Sequence, residues 1–174
     1  MWKEYFHPKS TIVGIDIDKS CKAREIANQK VHVRIGSQAD PDFLNKVNEE
    51  FGPFDIILDD GSHKTHHQIT SFGALFRPAL KEGGCYMVED LHTNYWIMYT
   101  DSPESFIELS KQMIDMLHEP YLGRREVDFR LGHSDAVQEI ELSYLSAHLD
   151  AINFHDSIVA LTKRKRALPI SELR

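Results

Sequence analysis

Two short apolar stretches of this chain each end in a pair of acidic residues. The first pair is Asp59 and Asp60, the second is Glu89 and Asp90, and a segment of helical length lies between them. If the stretches are neighbouring parallel strands, their carboxyl ends meet at one sheet edge, where open α/β sheets bind ligands. Crowded carboxylates repel one another unless a cation lies between them. We therefore predict that the four carboxylates converge around one divalent cation, with Mg²⁺, Mn²⁺ or Ca²⁺ favoured over zinc.

His63 follows the first acidic pair closely and is the candidate general base. Gly61 precedes it and permits a tight bend after the strand, which would turn His63 toward the same cleft as Asp60. A neutral imidazole beside a metal-bound hydroxyl can take a proton near neutral pH. The alternative is a histidine at the start of a helix that faces solvent.

Beyond the second acidic pair, the chain carries residues that could contact a substrate. Residues 91–96 interrupt the strand and supply an aromatic wall. We predict that His92, Tyr95 and Trp96 contact the acceptor molecule. For Tyr95 and Trp96 the alternative, that the rings pack on the core as a lid, stays open.

Two other strand ends carry candidates for binding a nucleoside. Asp16 ends a β-branched run, where a carboxylate can accept hydrogen bonds from two vicinal ribose hydroxyls. Ser37 and Gln38 follow the next strand, where Gly36 would allow an adenine to approach the backbone. The alternatives are a helix-capping acid at Asp16 and an ordinary turn at residues 36–39.

The elements that must position these residues alternate along the chain. Strands are predicted at residues 11–17, 31–35, 54–58 and 85–88, and helices at residues 20–29, from 40, at 65–80 and from 102. Such alternation implies an α/β fold with a parallel sheet and right-handed crossovers. Two later segments, residues 137–145 and 149–162, are predicted to be strands that form an antiparallel hairpin at the sheet edge.

Composition narrows the possible functions. The chain has 174 residues, of which 41% are hydrophobic and 27% charged, as expected for one domain with a single core. We place that domain at residues 1–166 and a tail at 167–174. The net charge of −7 argues against a nucleic-acid partner, and the basic run at 163–166 is predicted to be a solvated terminus. No apolar run reaches the ~18 residues of a spanning helix, so no membrane partner is expected. The two cysteines lack motif spacing, which favours reduced thiols in a cytoplasmic protein.

Taken in order, these motifs resemble the class I S-adenosylmethionine-dependent methyltransferases. More narrowly, the chain resembles the metal-dependent sugar O-methyltransferases of macrolide biosynthesis, of the mycinamicin and macrocin type, with the cephalosporin hydroxylase family as close kin. The segments that carry the resemblance are residues 14–18, 36–40, 58–63, 83–90 and 153–159.

The resemblance implies a Rossmann-like methyltransferase sheet, mostly parallel, with an antiparallel C-terminal hairpin. It implies Mg²⁺- or Mn²⁺-dependent transfer of a methyl group from S-adenosylmethionine to a sugar or other vicinal hydroxyl of a small molecule or glycoside. The roles it implies are metal ligation by Asp60, Glu89 and Asp90, proton removal by His63, ribose binding by Asp16, adenine contact by Ser37 and Gln38, and a place near the methionine end for Asp59.

The family's first strand and glycine-rich loop have no counterpart here. We therefore expect an N-terminally truncated domain with poor affinity for the cofactor, whose incomplete sheet edge could recruit a second copy. Two other functions stay open: a metal-binding or oligomer-forming relic that no longer methylates, and a metal-dependent phosphoesterase.

Overall fold

The computed structural model describes residues 2–122 and 142–167, which form an α/β structure. The helices are α1 (Trp2–Tyr5), α2 (Pro41–Phe51), α3 (Thr65–Leu75), α4 (Phe106–His118) and α5 (Tyr144–His148). The strands are β1 (Ile12–Asp16), β2 (Val31–Ile35), β3 (Phe54–Asp59), β4 (Leu80–Val88), β5 (Leu149–His155) and β6 (Ile158–Lys163). Short 3₁₀ segments lie at Lys19–Arg24, Ala27–Gln29, Leu91–Tyr95 and Glu119–Tyr121.

The strands form two sheets. One contains β1 and β2 in parallel, and the other has the order β3-β4-β6-β5. In the second sheet β3 and β4 are parallel, whereas β6 is antiparallel to both β4 and β5. The predicted α/β class, with parallel strands followed by an antiparallel C-terminal hairpin, is confirmed.

The order of the strands explains why there are two sheets. A doubly wound sheet runs 3-2-1-4-5, with its first strand between the second and the fourth. Here β2-β1 corresponds to the 3-2 half and β3-β4 to the 4-5 half. Among the described residues, β1 pairs with β2 alone and β3 with β4 alone. In the described residues, the edges of β1 and β3 that would flank such a first strand are unpaired.

The core lies on β4 and is covered by two helices. Tyr86 and Val88 of β4 are fully buried, as is Phe106 of α4. The ring of Phe72 on α3 contacts those of Tyr86 and Phe106 edge to face, with centroids 5.3 and 5.6 Å apart. Aromatic pairs of this geometry add to the stability gained from burial alone. This packing holds β4, and the acidic residues at its end, against α3 and α4.

The observed helix boundaries agree with local capping residues better than with the boundaries predicted from the sequence pattern. The predicted start of α2 is confirmed: the Asp40 carboxylate accepts from the backbone amides of Asp42 and Phe43. The prediction for residues 65–80 was too long, because α3 ends at Leu75 and β4 already begins at Leu80. Pro78 lies between them, lacks an N–H and disfavours a continuing helix. Likewise α4 starts at Phe106, capped by Ser105, rather than at residue 102.

The helix predicted at residues 20–29 is wrong. Two 3₁₀ segments replace it, separated by Glu25 and Ile26. The Glu25 carboxylate accepts from the backbone amide of Val33 at 2.9 Å, and Ile26 forms an antiparallel bridge with Val31. These residues therefore bond to β2 rather than to a helix of their own.

The C-terminal hairpin is built differently from the prediction. Residues 137–141 lie outside the described part of the chain, and Tyr144 and Leu145, predicted as strand, belong to α5. The segment predicted as one strand, 149–162, is split into β5 and β6 by a turn at Asp156 and Ser157. Ser157 has a φ of 63°, so the backbone reverses at this point.

The basic run at residues 163–166, predicted to be a solvated terminus, is exposed at Arg164 and Lys165 but not at Lys163. Lys163 is only 4% exposed. Its ammonium donates to the carbonyl oxygens of Phe76, Arg77 and Leu80 at 3.1, 2.8 and 2.6 Å. No helix within residues 2–122 or 142–167 has both the length and the apolar character needed to cross a membrane.

Candidate functional site

The two acidic pairs leave adjacent parallel strands. Asp59 on β3 stands opposite Val88 on β4. One residue further, the amide of Glu89 donates to the carbonyl oxygen of Asp59 at 3.0 Å, so the ladder continues beyond the end of β4. The turns that follow therefore start side by side, as the spacing of the acidic residues predicted.

Asp60, His63 and Asp90 come together just beyond this point. One potential metal-ligand atom from each lies within 4.8 Å of the other two. The His63 Nε2 lies 3.6 Å from an Asp90 carboxylate oxygen. Two carboxylates and an imidazole in this arrangement can hold a divalent cation or place a base beside one.

Glu89 is not one of these three residues, but it directly follows β4 and the charges of Asp60 and Asp90 act on it. Its pKa is raised, first by burial and then by the negative charges of Asp60 and Asp90. A carboxylate held beside two others is destabilised in its charged form, and a cation between them would relieve that repulsion. The three carboxylates predicted as metal ligands thus influence one another.

Both turns contain a non-glycine residue in left-handed backbone conformation. His63 has a φ of 59° and Asp90 a φ of 54°. Such conformations cost of order 1–3 kcal/mol and persist only where the surroundings hold them, commonly at binding sites. The acidic group is therefore carried on two strained turns.

Asp59 is separate from this group, and the expected convergence of all four carboxylates is wrong. Ligand atoms of Asp60 and Asp90 come within 4.8 Å of each other beside His63, whereas Asp59 and Glu89 are outside that set. Asp59 is 8% exposed, and its carboxylate accepts from the Ser71 hydroxyl and, at 2.9 Å, from the Gln38 amide. Burial raises its pKa. Successive side chains of a strand point to opposite faces, so the first acid of the pair faces the core while the second reaches the site.

Gln38 is fully engaged within the protein. Besides donating to Asp59, its side-chain oxygen accepts from the Ser62 amide at 2.7 Å. A Cβ at Gly61 would lie 1.9 Å from that oxygen, so any other residue there would force the Gln38 side chain to move. Gln38 thus connects the loop after β2 to the turn between Asp60 and His63. The local sequence gave no signal of this contact, which spans 24 positions.

The other predicted nucleoside contacts lie near the ends of β1 and β2. The Asp16 carboxylate accepts from the Asp18 amide at 2.8 Å and from the Cys21 thiol at 3.2 Å, and these bonds lower its pKa. Asp16 is exposed and ready to accept further bonds. The Ser37 hydroxyl accepts from the Ala39 amide, forming a local turn. Gly36 is explained by packing, because a Cβ there would lie 2.5 Å from the Phe43 ring.

The predicted acceptor contacts lie on the surface beside Asp90. Tyr95 is 75% and Trp96 52% exposed, so neither ring is buried in the core. The His92 ring meets Trp96 edge to face, with centroids 4.7 Å apart. His92 Nδ1 also lies 2.5 Å from the Ser157 hydroxyl. Ser157 was missed by the sequence analysis, since it reaches the site through a contact between residues 65 positions apart.

Comparison with known proteins places this geometry in context. No protein-family profile matches the chain. It is 41% identical over 125 residues to L-olivosyl-oleandolide 3-O-methyltransferase of Streptomyces antibioticus, which covers 68% of this chain and 31% of the relative. It is 46% identical over 96 residues to demethylmacrocin O-methyltransferase of Streptomyces fradiae, covering 55% of this chain and 23% of the relative.

A solved structure agrees with these relatives. The MycE methyltransferase of the mycinamycin biosynthetic pathway, in complex with Mg and SAH, matches with a TM-score of 0.76 and 29% identity. The match covers 94% of this chain and 39% of the MycE chain. The chain is a homologue of these sugar O-methyltransferases. The resemblance to class I S-adenosylmethionine-dependent methyltransferases is thereby confirmed.

This homologue of the sugar O-methyltransferases spans less than a third of the length of the first relatives, 31% in the S. antibioticus protein. Its acidic group fits a hard divalent cation, because the donors that converge are mainly carboxylate oxygens. The residues available for such an ion are Asp60, Glu89, Asp90 and His63.

Proposed function

We propose that this chain carries the catalytic metal site of an S-adenosylmethionine-dependent, Mg²⁺-dependent O-methyltransferase that acts on a sugar hydroxyl of a glycoside. The observation that supports this most strongly is the meeting of Asp60, His63 and Asp90 at the ends of β3 and β4. It occurs in a chain whose fold matches that of a methyltransferase crystallised with Mg and SAH.

The carboxylates of Asp60, Glu89 and Asp90 would hold Mg²⁺ or Mn²⁺. A bound divalent ion lowers the pKa of an attached hydroxyl, as it does for water. His63 would then remove the hydroxyl proton, since its imidazole lies within 4 Å of an Asp90 oxygen and so at the rim of the ion site. S-adenosylmethionine, when bound, would supply the methyl group for transfer to the oxygen that His63 has deprotonated.

The remaining predicted residues have supporting roles in this proposal. Asp16 would accept from ribose hydroxyls, which its exposed, ionised carboxylate suits. Ser37, Gln38 and Asp59 would border the cofactor, with the Gln38–Asp59 pair holding the turn that bears Asp60. His92, Tyr95 and Trp96 would contact the acceptor.

The acceptor is proposed to be a deoxysugar glycoside. The relatives are named for olivosyl and rhamnosyl glycosides, and MycE has been crystallised with mycinamycin VI. Ile97 and Met98, which are 92% and 83% exposed, extend the apolar surface next to Trp96. Such a surface suits the apolar body to which the sugar is attached.

Location and assembly belong to the same proposal. Both cysteines are free thiols, in keeping with a cytoplasmic protein. We also infer that residues 1–166 act as one domain, and that copies of the protein associate. Size-exclusion chromatography with light scattering tests the association.

The metal site is tested by Mn²⁺ titration followed by electron paramagnetic resonance, with S-adenosylmethionine binding measured by calorimetry. Replacing Asp60 with Asn should weaken Mn²⁺ binding by roughly 100-fold or more, since even indirect partners of ligands contribute about 10–100-fold. The control is Asp55→Asn, because Asp55 is an exposed residue of β3 that pairs with Lys81.

Methyl transfer is tested with S-adenosylmethionine labelled in the methyl group and a rhamnosyl or olivosyl glycoside as acceptor. Label should appear in the glycoside only when Mg²⁺ is present. Phosphate release from p-nitrophenyl phosphate without S-adenosylmethionine would instead support a phosphoesterase. Equal Mn²⁺ affinity in the native chain and Asp60→Asn would refute the proposed metal site.

A further inference from the structure

The two turns that carry the acidic group run side by side, but their backbones part after the strands end. The last backbone hydrogen bond between them is from the Glu89 amide to the Asp59 oxygen. In the described residues, no backbone hydrogen bond joins residues 60–63 to residues 90–93. Another contact must therefore fix the spacing of Asp60 and His63 from Asp90.

The side chain of Thr93 makes such a contact. Its hydroxyl oxygen lies 2.7 Å from the carbonyl oxygen of Asp90 and 3.2 Å from that of His63. Both partners are acceptors only, so the single hydroxyl proton is shared between them. Thr93 is 3% exposed, and water has little access to replace it. Without the hydroxyl, the His63 carbonyl would lose this bond and the link between the two turns would be broken, whereas the Asp90 carbonyl would keep its bond from the Thr93 backbone amide at 3.0 Å.

The two residues linked by this hydroxyl, His63 and Asp90, are the residues with left-handed backbone in the two acidic turns. Each supplies a side chain to the acidic group. The Thr93 hydroxyl therefore holds the two strained residues themselves. A small backbone rotation at either one would move the Asp90 carboxylate or the His63 imidazole away from the other side chains of the acidic group.

Thr93 is itself held from the core side. The neighbouring Asn94 is buried, and its amide donates to the Gln68 side-chain oxygen at 2.9 Å. The Asn94 oxygen accepts from the Ile107 amide at 3.3 Å, at the start of α4. Through Asn94, the position of the Thr93 hydroxyl is thus fixed by α3 and α4, the helices that also pack on β4.

We propose that Thr93 is a positioning residue that sets the spacing of the two turns and thereby the affinity of the site for a divalent cation. The proposal rests on the proposed function only in taking Asp60 and Asp90 as metal ligands. Thr93 acts through the His63 and Asp90 backbone, because its hydroxyl donates to the carbonyl oxygens of both residues.

The test compares Thr93→Val, which keeps the shape and removes the hydroxyl, with Thr93→Ser, which keeps the hydroxyl. Mn²⁺ affinity is measured by electron paramagnetic resonance on the full chain. The valine variant should bind Mn²⁺ about 10–100-fold more weakly, the range seen when a group that orients a metal ligand is lost. The serine variant should restore affinity close to the native value.

Thr65→Val is the matched control. Thr65 is fully buried, and its hydroxyl donates to an Asp101 carboxylate oxygen at 3.1 Å rather than to a carbonyl of either turn. It should lower the melting temperature of the metal-free protein without weakening Mn²⁺ binding. If Thr93→Val does not fold, Thr93→Ala measured in sucrose, which favours the compact state, replaces it with the same expected loss.

The outcomes separate this inference from the proposed function. A Thr93→Val variant with lower thermal stability but native Mn²⁺ affinity would overturn the inference alone. Failure of Thr93→Ser to restore affinity would also overturn it, because shape rather than the hydroxyl would then matter. A native chain that binds no Mn²⁺ would overturn the proposed function and this inference together.

Discussion

At the scale of single residues, the position of His63 is compatible with two roles, general base and metal ligand. Its Nε2 lies 3.6 Å from an Asp90 oxygen, so it could serve as a base beside the metal or as a ligand to it. Its Nδ1 is buried and has no hydrogen-bond partner in the described residues. The proposed function assigns it the task of base.

Replacing His63 with Ala should therefore separate catalysis from metal binding. Turnover is expected to fall by roughly 10²–10⁴-fold, the usual contribution of a general base, while Mn²⁺ affinity is retained. Initial rates of methyl transfer and Mn²⁺ titration measure the two quantities. His66→Ala, at an exposed position of α3, should change neither. Loss of Mn²⁺ affinity in His63→Ala would make His63 a ligand instead.

Residue types and spacing were enough to predict that Asp60 and Asp90 meet. Asp60, Glu89 and Asp90 follow strands that proved to be parallel neighbours, and that arrangement could be expected from the alternation of elements. The place of Asp59 could not, because which acid of an adjacent pair faces the core depends on where the strand ends. Ser71 and Gln38, which bind it, come from elsewhere in the chain.

At the scale of elements, side-chain bonds decide structures that periodicity alone does not. The start of α2 was predictable because Asp40 and Pro41 form a local signal. The absence of a helix at residues 20–29 was not, since it depends on Glu25 reaching β2. That carboxylate accepts from Lys22, from the Val33 amide and from Arg34.

The bonds of Glu25 predict a pH dependence of stability. They lower its pKa from 4.5 to about 2, with the Lys22 hydrogen bond the largest cause. A lowered pKa stabilises the fold above the unfolded value and loses this contribution as pH falls toward the folded one. The native melting temperature should therefore decline between pH 4.5 and about 2. Glu25→Gln should show less of this decline, and Glu49→Gln, at an exposed site, should retain all of it.

Lys163 provides a second prediction at this scale. Its three hydrogen bonds satisfy carbonyl oxygens at the end of α3 and the start of β4. Lys163→Met would leave these buried acceptors unpaired and should lower the free energy of unfolding by about 3 kcal/mol. Urea denaturation measures the change. Lys81→Met removes only an exposed ion pair with Asp55 and should have an effect below about 1 kcal/mol; equal effects would contradict the proposed role of Lys163.

At the scale of the whole molecule, the division into two sheets was foreseeable in part. The sequence predicted that the family's first strand is missing, and in the described residues β1 and β3 each have one unpaired edge. The effect of these open edges on exposure became clear only in three dimensions. Ile15 on β1 and Ile56 on β3 are 37% and 44% exposed, although inner strands of a parallel sheet are normally buried on both faces.

Hydrogen exchange should distinguish these open edges from the paired strands. The amides of β1 and β3 that point toward the unpaired edges should exchange at rates close to those of loops. The amides of β4 should exchange most slowly, because β4 is hydrogen-bonded to both β3 and β6. Nuclear magnetic resonance at two protein concentrations measures this. Slow exchange at the open edges that depends on concentration would show instead that the edges pair between molecules.

The close approach of Gln38 to Gly61 also bears on how this protein can evolve. The Gln38 side chain cannot swing aside freely, since both ends of its amide are bonded, and a methyl group at position 61 would collide with it. Alanine at position 61 should thus be tolerated only after position 38 has become smaller. Across descendants of this sequence, substitutions at the two sites should be correlated, with the order of their appearance constrained.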